Sequence, residues 1–251
     1  MAFPTSAILA VAMFLVAALY STVGHGGASG YLACMALAGM APAVMKPTAL
    51  LLNVIVAAIA TWKYVRAGCF NWRTLWPFAL ASVPFSFIGG AIVLPGFWYR
   101  KVVGIVLVYA AARLLLTAGA APSAIRPAPV WPALGIGAVL GFVSGLTGVG
   151  GGIFLSPVLL FAGWSETRAA SGVAAAFILL NSIAGLAGDV FGPRKITAVL
   201  VDPAAVLIWG ACAAVGGWIG SHYGSRRLPT AAIRRFLAGV VLVAALKMLM
   251  V

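Results

Sequence analysis

Charge is what this sequence has least of: 8% of its 251 residues are charged against 64% hydrophobic, and only three are acidic. A soluble domain carries about 25% charged and 45–50% apolar residues, so no soluble core of this size could hide so much apolar surface. The first charged side chain is Lys46 and the first acidic one Glu166, which leaves Met1 to Met45 uncharged. A bilayer crossing takes about 20 apolar residues, so that stretch holds either two spans or one span and a re-entrant element. Cysteine is scarce, and Cys34, Cys69 and Cys212 lie far apart without CxxC spacing. Neither a disulfide framework nor a metal site is indicated, and the three read as packing residues. No nucleophile and base pair, zinc-ligand cluster, P-loop or dinucleotide fingerprint is found, so we expect no enzyme and no cofactor. The N-terminus lacks both a basic n-region and a small-residue cleavage site, so the first helix is expected to stay in the protein.

What is present is a series of apolar runs. Five lie near residues 4–23, 28–45, 47–65, 73–94 and 99–117, and five near 130–147, 151–163, 169–189, 197–221 and 232–250. The expected fold is an all-α polytopic membrane protein. Between the two sets lies an Ala- and Pro-rich stretch, which divides the chain into a first repeat at 1–118, a linker at 119–131 and a second repeat at 132–251. The halves are related in sequence. Gly24-His25-Gly26-Gly27 matches Gly148-Val149-Gly150-Gly151, Ala38-Gly39 matches Ala162-Gly163, and Leu51-Leu52-Asn53 matches Leu179-Leu180-Asn181. Pro77 with Pro203, Gly89-Gly90 with Gly216-Gly217, and Gly104 with Gly239 follow in the same order.

A net charge of +13 would suggest nucleic acid in a soluble chain, but here the cations fall in short gaps between apolar runs. They read as anchors of cytoplasmic loops, and no nucleic-acid partner is expected. Lys63, Arg66 and Arg73 mark one such gap, and Arg226, Arg227, Arg234 and Arg235 mark another. An even number of segments separates the gaps, so both belong on one face. The repeat counterpart of the first gap, around Asp189 to Lys195, lies an odd number away. The halves are therefore expected to be inverted repeats of about five hydrophobic segments each, with both termini outside.

The second segment of each half is too short or too broken to cross, and each follows a glycine box. We read each box as an unwound turn that opens a half-helix, whose free N–H groups and positive dipole end point at an anion near the midplane. Glycine suits a turn with φ > 0 and a ligand approaching bare backbone. Close helix packing is the competing use. The candidate site residues are Gly24, His25, Gly26 and Gly27, with Gly148, Gly150, Gly151 and Gly152. To these we add Asn53 and Asn181, amides at equivalent positions inside apolar runs that serve either substrate or a neighbouring helix. Thr48 and Ser171 offer hydroxyls to an oxyanion or to a helix cap. Lys46 and Arg168, just ahead of the third segments, supply positive charge for an anion or anchor at the interface. His25 binds anion or proton, or simply bonds within its turn. Arg113 and Lys247 lie deep in fifth segments and are expected to snorkel. Asp189, Asp202 and Glu166 are read as proton-coupling or interfacial acids.

At these boxes the sequence resembles the sulfite exporter TauE/SafE family, also grouped as toluenesulfonate uptake permeases. The residues carrying the resemblance are Ser144-Gly145-Leu146-Thr147-Gly148-Val149-Gly150-Gly151-Gly152, then Pro157, then Leu179-Leu180-Asn181-Ser182, and their first-half counterparts. The first box departs in having His25, Ala28 for a third glycine, and Ala33 where Pro157 has its equivalent. The resemblance implies transport of sulfite, sulfonate, sulfoacetate or a similar small sulfur anion in a bacterial inner membrane. The expected partners are that anion and the lipid bilayer; proton or sodium coupling and a homodimer are left open. An anion channel of other specificity and a non-transporting scaffold or accessory subunit are the alternatives.

Overall fold

The computed structural model describes residues 3–116, 125–192, 203–226, 241–243 and 245–250. Among them all regular structure is helical: α1 Phe3–Ser21, α2 Ala28–Leu37, α3 Pro42–Arg66, α4 Trp72–Ala91, α5 Gly96–Leu116, α6 Val130–Thr147, α7 Gly152–Phe161, α8 Thr167–Phe191 and α9 Pro203–Gly224. A further apolar helix, Val241–Met250, ends the described chain. Helices α3, α4, α6, α8 and α9 are each long and apolar enough to cross a bilayer. Leu80, Ile105, Val139 and Leu207 stand exposed on the outside of the bundle. The backbone bonds within helices leave such a surface free to face lipid, so the chain is an integral membrane protein.

Two segment boundaries differ from the hydropathy reading. Gly39 at φ 73 ends the turn after α2, and Ala41 is extended before Pro42. Helix α3 therefore begins at Pro42 instead of 47. Lys46, expected just ahead of this segment, lies in its second turn. In the second half Gly163 at φ 68 closes α7 and α8 begins at Thr167, which puts Arg168 in the first turn of α8. Hydropathy missed both starts because the apolar run continues through the turn, and only backbone geometry marks the break. Gly239, Lys195, Asp202, Arg227, Arg234, Arg235 and residues 119–124 of the linker fall outside the described residues, as does the side chain of Arg113.

The halves exchange contacts. Helix α4 packs along α6, α1 along α9, and α3 against α8. In the first pair Gly137, Gly141 and Gly145 bring α6 onto the backbone of Phe78, Ser82 and Ser86; in the second, Gly216, Gly220 and Gly224 bring α9 onto Phe14, Ala18 and Thr22. A four-residue glycine spacing lines one helix face, which is how helices approach closely without a hydrophobic driving force. Both of these pairs run parallel. Helices α3 and α8 run antiparallel: Lys46 near the start of α3 meets Asp189 near the end of α8, while Gly172 of α8 lies against Tyr64 near the end of α3.

This arrangement makes the second segments re-entrant. Tyr64 Oη donates to the Thr22 carbonyl at 2.9 Å, so α1 ends level with the end of α3. The box and α2 must then bring the chain back to the start of α3. Helix α2 has 10 residues, as has α7. At 1.5 Å per residue each extends about 15 Å, half of a bilayer core. In the second half, Gly145 of α6 lies against Gly90, and Gly90 against Gly185 of α8. From there α7 returns the chain to the start of α8. The two basic gaps meet at one end of the bundle, where Cys69 Sγ approaches the Ser225 carbonyl at 4.0 Å and Arg168 Nη2 donates to the Arg226 carbonyl at 2.9 Å.

Candidate functional site

Each box is a left-handed turn leading into its half-helix. Gly24 and Gly27 have φ of 71 and 99, and Gly148, Gly150 and Gly151 have φ of 84, 83 and 80. Gly27 and Gly151 are the N-caps, and neither α2 nor α7 has a side-chain cap. The first N–H groups of a helix lack intrahelical partners and carry its positive dipole end. Here two such ends lie near each other.

The residue between them is Asn53. A Cβ on Gly26 would stand 2.5 Å from Asn53 Oδ1 and 3.1 Å from Ile178 Cγ2; one on Gly150 would stand 2.6 Å from Asn53 Nδ2 and 2.9 Å from the same Ile178 carbon. Both boxes thus pack on one amide at the crossing of α3 and α8. Asn53 Nδ2 donates to the Val149 carbonyl at 3.3 Å and to Ser182 Oγ at 3.4 Å, both long bonds, and Oδ1 has no protein partner. Thr48 Oγ1, fully buried on α3, is also without a partner. Buried polar atoms are nearly always paired, so the unpaired Asn53 Oδ1 between two helix ends suits a polar guest.

Asn181 does not occupy the equivalent place. Counted from the helix starts, Asn53 is the twelfth residue of α3 and Ile178 the twelfth of α8. Asn181 lies almost one turn further along, with Nδ2 donating to the Phe177 carbonyl at 2.8 Å. Ser182, which the sequence reading quoted only as part of a motif, is the residue of α8 that reaches Asn53.

The same count pairs Lys46 with Ser171, each the fifth residue of its helix, and Tyr64 with Asp189, each the twenty-third. Gly148 abuts the Lys46 backbone and Gly24 the Ser171 backbone. The side chains differ sharply. Lys46 Nζ lies 3.3 Å from Asp189 Oδ1, with both side chains more than nine-tenths buried. Ser171 Oγ donates to the Thr167 carbonyl at 3.0 Å, as a local helix bond. Arg168 is exposed at the end of the bundle and does not join the boxes. His25 is partly buried, with Nδ1 2.9 Å from the Val23 carbonyl, which fits the tautomer that carries its proton on Nδ1. Lys247 is exposed and reaches the Leu37 carbonyl at 2.9 Å. The sequence reads Asp189 as a proton-coupling or interfacial acid and not as a residue of the anion site; the structure pairs it with Lys46 inside the bundle.

A cavity of about 350 Å³ opens beside the second box. Its rim carries the exposed Ala43 and Val93, and its inner wall carries Lys46, Asp189, Tyr99 and Leu146. Tyr99 Oη donates to the Thr147 carbonyl at 3.0 Å, which ties α5 to the end of α6 just before the box. Among the described residues no group of acids, histidines and cysteines could hold a metal ion.

Residues 9–248 match the family described as Sulfite exporter TauE/SafE. A probable membrane transporter protein of Sinorhizobium fredii is 40% identical over 245 residues, covering 96% of this chain and 97% of that protein. A probable membrane transporter protein of Methanocaldococcus jannaschii is 28% identical over 142 residues, covering 55% of this chain and 53% of that one. No solved structure matches the chain.

Proposed function

The chain belongs to the sulfite exporter TauE/SafE family of membrane transporters, and from that premise we propose that it carries a small sulfur oxyanion across the bacterial inner membrane. Sulfite, sulfonate and sulfoacetate are the substrate class. The carrying observation is the approach of Gly26 and Gly150 to the two sides of one Asn53 amide, because it brings two uncapped helix N-termini to a single point. A tetrahedral or pyramidal oxyanion accepts hydrogen bonds in several directions and suits converging N–H donors; a cation does not. The antiparallel pairing of α3 with α8 supports reading the halves as inverted repeats, in which equivalent helix breaks meet at the midplane. Because both boxes rest directly on Asn53, an anion enters only when the halves part, so alternating access fits better than an open channel. No catalytic step is proposed.

The test is uptake into vesicles containing the purified protein, challenged with sulfite, thiosulfate, sulfoacetate, toluenesulfonate, sulfate and chloride. Saturable flux of at least one of the sulfur anions other than sulfate is expected. Flux that fails to saturate would favour a channel, and no anion flux at all in folded protein would favour a scaffold.

A further inference from the structure

We propose that Lys46 and Asp189 form a proton-operated gate on one side of the central site, so that an anion passing Lys46 travels with a proton held by Asp189. This rests on the reading of the chain as an anion carrier. The ammonium of lysine has three N–H donors, and all three have acceptors here: the Gly90 carbonyl at 2.7 Å, the Ile92 carbonyl at 3.2 Å and Asp189 Oδ1 at 3.3 Å. The two carbonyls lie at the C-terminal end of α4, where backbone and dipole favour a cation and cannot withdraw. Only the carboxylate can give up its share. Asp189 Oδ2 is buried and has no protein partner, so it is the atom free to take a proton.

The charges balance. In the closed gate Lys46 and Asp189 neutralise each other. A proton from water converts the carboxylate to a carboxylic acid, one N–H of Lys46 turns to the cavity, and a monovalent anion neutralises the ammonium. One proton and one anion have entered and the net charge is unchanged. A buried site of low polarity enforces this pairing, because an anion without the proton, or the proton without the anion, would leave an uncompensated charge. Tyr99 from α5 is the other titratable side chain facing the pair among the described residues; its hydroxyl is already committed to the Thr147 carbonyl. The cavity connects an exposed rim to the pair, and Gly148 packs on the Lys46 backbone, so the gate adjoins the second box. At the equivalent positions by the first box stand Ser171 and Tyr64, which are neutral, so the gate has one side only.

The chain's three acidic residues make the proton easy to follow. Purified full-length protein in weakly buffered detergent solution is mixed with toluenesulfonate, a monovalent anion that exchanges no proton near neutral pH, while bound anion and released or consumed protons are both measured. The wild type is expected to take up about one proton per anion bound, and its affinity to fall by about tenfold per unit of rising pH. Asp189→Asn is expected to bind more tightly at alkaline pH, with no proton uptake and no pH dependence. Should Asp189→Asn fail to fold, the double variant Lys46→Met with Asp189→Leu replaces the pair by apolar side chains of similar size, and it too should take up no proton. Binding without proton uptake in the wild type, or proton uptake persisting in either variant, would overturn the gate and leave the carrier reading intact. If the wild type binds neither toluenesulfonate nor sulfite, the carrier reading itself fails and the gate with it.

Discussion

Gly26 and Gly150, 124 residues apart in the chain, stand on opposite sides of the Asn53 amide, Gly26 toward Oδ1 and Gly150 toward Nδ2. Neither position has room for a Cβ, and Gly150 also has a φ of 83 that side chains rarely adopt. Gly104 differs, since a Cβ there meets chiefly the flexible end of Leu249. Gly26→Val and Gly150→Val should each lower vesicle flux by roughly a hundredfold, about 2.7 kcal/mol of lost stabilisation, whereas Gly104→Val should change it by about twofold. Melting temperature and membrane yield of each variant separate lost transport from lost folding. Equal loss at all three sites in folded protein would take away the special status of the boxes.

Asn53→Leu removes the donor to the Val149 carbonyl and Ser182 Oγ and leaves those acceptors buried. The expected cost in stability is about 1–3 kcal/mol, accompanied by a loss of flux of roughly tenfold or more. Asn181→Leu breaks a bond within its own helix turn and should cost no more than about 1 kcal/mol in addition to its packing change, with flux largely kept. A flux more sensitive at Asn181 than at Asn53 would move the site along α8.

Topology can be read by cysteine labelling. Single cysteines at Ala67, Ala162 and Arg226, all exposed at one end of the bundle, should react only from the cytoplasmic side, and one at Ala38, exposed at the other, only from outside. Labelling of Ala67 and Ala38 from the same face would contradict both the re-entrant course of α2 and the inverted arrangement.

The glycine contacts between helices carry stability and not recognition. A Cβ on Gly220 would overlap the Ala18 carbonyl of α1, so Gly220→Val must push α9 away. Overpacking of this kind costs about 1–3 kcal/mol, which should appear as a lower melting temperature with near-normal substrate affinity in the protein that remains folded.

How much was legible beforehand depended on range. The boxes, the short helices after them and the basic gaps are local signals, and the structure joins the gaps through Cys69 with Ser225 and Arg168 with Arg226. The ion pair was not legible, because Lys46 and Asp189 come from different halves and neither has a motif. Register was misjudged for a related reason. In a chain rich in small apolar residues, Leu-Leu-Asn matches Leu-Leu-Asn at a slip of nearly one turn, and only the helix starts show that Ile178 stands where Asn53 does. Arg168 resembled Lys46 in sequence position, yet it lies at the exposed start of α8 and not within the bundle.

The central claim is that one anion sits where the two boxes meet, and anomalous diffraction from crystals soaked with selenite, a pyramidal analogue of sulfite, tests it most directly. The account predicts a selenium peak within roughly 3–5 Å of Asn53 Nδ2 and of the backbone at both Gly26 and Gly150, a range set by hydrogen-bond length plus the selenium–oxygen bond. A peak only at the outer surface, or only beside Lys46 with the centre empty at saturating selenite, would contradict it.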